Sequence, residues 1–147
     1  MKFSQARTGR VFVLRLEQGE VIHEVLERFV AEHGIQCAAV TMVGATDHGS
    51  QLVVGPRDGK ALPIVPLRHL LTDVHELTGV GTIFPDGNGR PTLHAHVSVG
   101  REGGAATGCI RGGIVVWNIV EVILLELTDC TAKRVLDPLT GFELLDP

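Results

Sequence analysis

The chain holds no tyrosine, one tryptophan, five phenylalanines and three cysteines in its 147 residues. So few aromatics leave a core to be built from Val, Leu, Ile and Ala, and offer no row of rings on which nucleic-acid bases would stack. Cys37, Cys109 and Cys130 are too few and too odd in number for a disulfide framework. Charge is scarce as well: 20% of residues are charged, below the ~25% of an average soluble domain. With a net charge of −4, a fold whose whole surface is a basic nucleic-acid platform is excluded. A hydrophobic share of 44% and a mean hydropathy of +0.24 exclude intrinsic disorder. The most apolar run, Ile114 to Leu127, is interrupted by Asn118, Glu121 and Glu126. It is also shorter than the ~20 residues a membrane helix needs. No apolar stretch follows the basic residues of the N-terminus, so no secretory signal is read there. These absences predict one soluble, cytoplasmic domain with no membrane partner.

What is present is mostly strand. One helix is predicted over Glu20–His33, where Val21, Ile22, Val25, Leu26, Phe29 and Val30 form a single apolar stripe. Gly34 supplies its left-handed stop. Alternating or apolar runs at 11–16, 36–43, 51–54, 74–84, 92–99, 105–111 and 114–127 read as strands, and Asp86-Gly87-Asn88-Gly89 reads as a turn. The order predicts an α+β domain, a mostly antiparallel sheet packed on one amphipathic helix. No internal repeat or linker divides the chain.

The segment with most chemistry is Leu93-His94-Ala95-His96-Val97. Residues two apart on a strand share a face, so His94 and His96 project together. A hairpin with Gly100–Gly103 as its loop would set His96 opposite Thr107 and His94 opposite Cys109. Directly opposed residues share a face with Cβ atoms ~4.5–5.5 Å apart, which brings two imidazoles and a thiol together. Zinc accepts such a set and leaves a fourth position open. The competing reading is a strand with two idle histidines and a small thiol. Cys37 and Cys130 read as core or edge residues.

Two further features stand out. Glu121 shares a strand side with Trp117, Ile119, Ile123 and Leu125, and is assigned to a subunit interface in preference to a local pocket that would raise its pKa. The same reading turns the chain at Arg111-Gly112-Gly113, so that Val115 faces Cys109 and Trp117 faces Thr107. Residues 1–16 carry Lys2, Arg7, Arg10 and Arg15 with no acid, a basic arm that could meet phosphates.

The sequence Gly9-Arg10-Val11-Phe12-Val13-Leu14-Arg15-Leu16, then Gly19-Glu20, resembles the opening of the plants-and-prokaryotes-conserved (PPC) domain. The resemblance continues through Gly34-Ile35, Val43-Gly44-Ala45, Glu76-Leu77, Gly79, Gly81-Thr82-Ile83, Asp86-Gly87, Pro91, Leu93-His94 and His96, covering about residues 9–127. It implies an antiparallel sheet packed on the helix, a homotrimer, and a DNA-binding label that derives from plant members with a separate AT-hook. It also implies a metal held by the His-x-His pair and a histidine in a later Gly-Gly-His segment. Here that segment reads Thr107-Gly108-Cys109, so Cys109 stands where the third histidine would be.

Three function classes follow. The first is a DNA-binding protein of this family, contacting duplex weakly through Lys2, Arg7 and Arg10. Asn88-Gly89-Arg90-Pro91 lacks the first arginine of an AT-hook core. The second is a zinc-type metalloenzyme or small-molecule-binding trimer on His94, His96 and Cys109, with Asp47, His48 or Glu76 as acid or base. The third is a structural or regulatory trimer.

Overall fold

The computed structural model describes all 147 residues. In chain order the elements are β1 (Arg7–Glu17), α1 (Ile22–Glu32), β2 (Ala38–Thr46), β3 (Gln51–Pro56), β4 (Pro66–Leu70), β5 (His75–Pro85), β6 (Pro91–Arg101), β7 (Gly104–Cys109), β8 (Val116–Thr128), β9 (Lys133–Leu136) and β10 (Glu143–Asp146). A 3-10 turn, Ile110–Gly112, follows β7. Eight strands form one sheet in the order β1-β8-β2-β5-β6-β7-β3-β4, and β9 and β10 form a separate hairpin. Neighbouring strands are antiparallel throughout. The fold is α+β, as the order of elements predicts.

The helix is shorter than its apolar stripe. Glu20 turns back so that its carboxylate accepts the Glu17 N–H at 2.8 Å, and Val21 bridges to Val115 in extended form. Helical geometry therefore starts at Ile22. At the other end Gly34, at φ +65°, lets its N–H reach the Ala31 carbonyl while Ile35 N–H reaches Val30, a paired closure of the last turn. Ile22, Leu26 and Val30 are buried against Leu16, Met42, Leu93, Ala95 and Val97 on one sheet face. Each fully buried aliphatic side chain of this kind contributes ~1.5–3 kcal/mol.

The opposite sheet face carries no helix. Val11, Val13, Val43, Val80, Ile123 and Leu125 are exposed there. The β9–β10 hairpin packs near one end of this face, where Phe84, Cys37 and Ala132 make a small separate core.

Two expected pairings differ. The β6–β7 loop is the two-residue turn Glu102-Gly103, both at positive φ, so the register moves by two and Cys109 faces His96, not His94. Such a turn matches strand twist better than a four-residue loop. An even shift keeps every side chain on its face, so the predicted convergence survives. The β7–β8 hairpin does not form. After the 3-10 turn the chain leaves the β7 edge, and β8 inserts between β1 and β2, setting Trp117 opposite Ala45.

Candidate metal centre

His94 and His96 stand on the uncovered face of β6, two residues apart, and Cys109 joins them from the end of β7. The strand is held there by partners outside the sheet. β7 ends opposite His96, so the outward N–H and C=O of Leu93 have no strand to meet. Glu27 of α1 accepts the Leu93 N–H at 2.9 Å, and Arg111 of the 3-10 turn donates to the Leu93 carbonyl at 2.8 Å. Both ends of one peptide position are thus satisfied beside the first histidine.

The two Nε2 atoms lie 3.3 Å apart with the rings 5.1 Å centroid to centroid and near perpendicular. All three donor atoms lie within 4.8 Å of one another. A tetrahedral ion with bonds of ~2.0–2.1 Å to nitrogen separates its nitrogen ligands by ~3.3 Å, so the histidine pair matches the edge of such a site. The donor set, two imidazoles and one thiol, is a borderline-soft set that suits zinc and related divalent ions. Partial desolvation on the sheet face, then the positive charges of Arg134, His96 and Arg111, hold the His94 pKa below that of an ordinary histidine. A neutral imidazole is the form that binds a metal.

Sequence reasoning did not single out the two arginines. In sequence Arg111 is a turn residue, and Arg134 lies on β9 in the tail. Arg134 is 5% exposed, and its Nη2 lies 3.4 Å from both the carbonyl and the Oγ1 of Thr82, the residue paired with His94 across β5 and β6. No local signal marks Arg134, because it meets Thr82 over 52 positions of chain.

The family model for the Plants and Prokaryotes Conserved (PCC) domain matches residues 3–128. The chain belongs to the PCC-domain family. A metal-containing protein from Archaeoglobus fulgidus has the same fold over 100% of both chains, with a TM-score of 0.86 and 25% identity. A plant- and prokaryote-conserved protein from Pyrococcus horikoshii, 23% identical, matches 100% of this chain and 98% of its own at a TM-score of 0.86. A candidate DNA-binding protein from Ralstonia eutropha JMP134 shares the fold at a TM-score of 0.71 and 21% identity, over 92% of this chain and 90% of that one. In sequence, the bifunctional protein GlmU of Synechococcus sp. (strain JA-3-3Ab) is 26% identical over 136 residues, which is 90% of this chain and 20% of that protein. The chain spans about a fifth of the length of the curated relatives it matches.

The remaining predicted residues lie elsewhere on this PCC domain. Glu121 sits on the uncovered face between Arg15 of β1 and Val43 of β2. β8 is three strand spacings from β6, or ~14 Å, so Glu121 is no ligand of the same ion within the chain. It lines an open cavity of about 630 Å³ together with Val13, Thr41, Val80 and Ile123. Glu76 lies six residues along β5 from Thr82, ~20 Å at strand rise, and is not brought to the histidines. Asp47 and His48 pair with each other at 2.9 Å in the β2–β3 turn, where Asp47 also accepts from Gln18. Each basic residue of the N-terminal arm has a carboxylate of its own: Lys2 pairs with Asp146 at 2.8 Å, Arg7 with Asp129 at 3.5 Å and Arg10 with Glu126 at 2.7 Å. No helix of the protein is long and apolar enough to cross a membrane.

Proposed function

We propose that this PCC domain binds a zinc-type divalent cation through His94, His96 and Cys109. The observation that carries this reading is the convergence of the three donor atoms within 4.8 Å on one sheet face. The Archaeoglobus fulgidus protein of the same fold, described as metal-containing, supports it. Three protein ligands leave one coordination position for water or a ligand, and a bound ion there supplies Lewis acidity and a water of lowered pKa. A metal-dependent enzyme or a small-molecule-binding protein is the functional class that follows. The test is elemental analysis after dialysis against zinc and removal of the excess. About one zinc per chain is expected for the wild type and none for His94→Ala or His96→Ala. A zinc-free wild type under those conditions ends the proposal.

The assembly we propose is a homotrimer. Val11, Val13, Val43, Val80, Ile123 and Leu125 form an apolar surface that a monomer would leave in water, and Glu121 lies within it. DNA is a second proposed partner, resting on the DNA-binding designation of the Ralstonia and Bacteroides proteins of this fold. Phosphates would have to displace Asp146, Asp129 and Glu126 from Lys2, Arg7 and Arg10. Binding by this route is weak, indifferent to sequence, and lost between low and physiological salt.

A further inference from the structure

Two guanidinium groups flank His94, and neither has a carboxylate partner. Five other arginines, Arg7, Arg10, Arg15, Arg90 and Arg101, each pair with an Asp or Glu. Arg111 is held by the carbonyl of Leu93, immediately before His94. Arg134 is held by Thr82, directly across from His94, and stacks 5.9 Å from the Phe84 ring centroid. Its Nε is buried with no hydrogen-bond partner at all. An orphaned donor on a buried cation is costly, ~1–3 kcal/mol for a neutral group and more for a charged one. Burial, and then the charge of Arg111, push the Arg134 pKa down, and Glu143 of β10 opposes them only in part. Arg134 also lies beyond residues 3–128, on a hairpin outside the stretch that the family model matches.

We propose that Arg111 and Arg134 form an oxyanion subsite beside the His94–His96–Cys109 centre, so that the ligand of this site is a small molecule bearing a phosphate or carboxylate group. This rests on the metal assignment above. The planar fork of an arginine donates to either group in a matched pair of hydrogen bonds, and an anion would relieve the repulsion between the two cations. Arg111 is exposed to solvent, while Arg134 is a buried residue of β9.

Calorimetric titration with inorganic phosphate and, separately, with acetate tests the subsite, using the full chain both metal-free and zinc-loaded. Saturable binding of one of the two anions at one per chain is expected, and the stronger binder identifies the group. Arg134→Gln and Arg111→Gln should each weaken it by about tenfold or more, the loss of a charge-assisted hydrogen bond. Arg111 is exposed, so its variant keeps the test open should Arg134→Gln fail to fold. Zinc uptake with no binding of either anion overturns the arginine subsite and leaves the metal assignment standing. Anion binding that neither substitution alters also overturns it. Failure to take up zinc removes the metal assignment alone, because the metal-free titration still reads the arginine pair.

Discussion

In the proposed metal centre, Cys109 would decide which ion is preferred. A thiol that ligates zinc does so as thiolate, so the proposed uptake would release a proton and should weaken as pH falls. Cys109→Ser puts a poor neutral ligand in its place and should lower zinc affinity, by at least about tenfold, while Cys109→His should retain one zinc per chain. Competition with a chromophoric chelator measures both. Retention of full affinity by the serine variant would show that the thiol is no ligand. A second residue-scale prediction concerns Arg10, whose guanidinium donates to both oxygens of Glu126 and holds that carboxyl at about 2. A depressed acid contributes stability that is complete above its ordinary value of 4.5 and is lost as pH falls toward about 2. Thermal melts of the wild type and Arg10→Ala should therefore differ most above pH 4.5 and converge near pH 2. Curves that stay parallel through that range would contradict the pairing.

At the scale of elements, β5 and β6 approach so closely because glycine stands where a side chain would collide. A Cβ on Gly81 would meet the Ala95 Cβ at 2.6 Å and the His94 carbonyl at 2.9 Å. These atoms belong to the strand that carries the histidines, so the obstruction is met by β6 itself. Gly81→Ala should cost ~1–3 kcal/mol, typical of forcing extra atoms into a packed interior. It should also reduce zinc affinity by displacing His94, even though the substituted residue touches no ion. Chemical denaturation and zinc titration read the two effects, and an unchanged denaturation midpoint would refute the packing argument. The β6–β7 turn shows the same linkage from the other side. Glu102 at φ +51° and Gly103 at φ +79° place Cys109 opposite His96, and any odd change in that register would send the thiol to the core face.

Across the whole molecule, one sheet face is closed by α1 and the other is open and partly aliphatic. The open face carries both the candidate metal centre and the surface proposed to join subunits, so assembly and ligand access share one surface. Light scattering after size exclusion should give three times the 15.8 kDa chain mass, and Val80→Glu, at the centre of that face, should shift the population toward monomer. A wild type that elutes as a monomer at micromolar concentration would refute the trimer.

The helix, the run of strands and the shared face of His94 and His96 were legible in the sequence, because periodicity is a local property of the chain. The apolar stripe of 20–33 has one helical solution, and residues two apart on a strand have one facing. Cys109 was placed on the right face by a register wrong by two, since only the parity of the shift matters to facing. The tertiary structure alone decided that β8 runs between β1 and β2, because strand order is chosen by long-range burial and no local pattern encodes it. It alone paired the basic arm with acids over 100 residues away and brought Arg134 to Thr82. Those contacts join parts of the chain whose separate sequences carry no mark of one another, and only the folded sheet brings them within hydrogen-bonding distance.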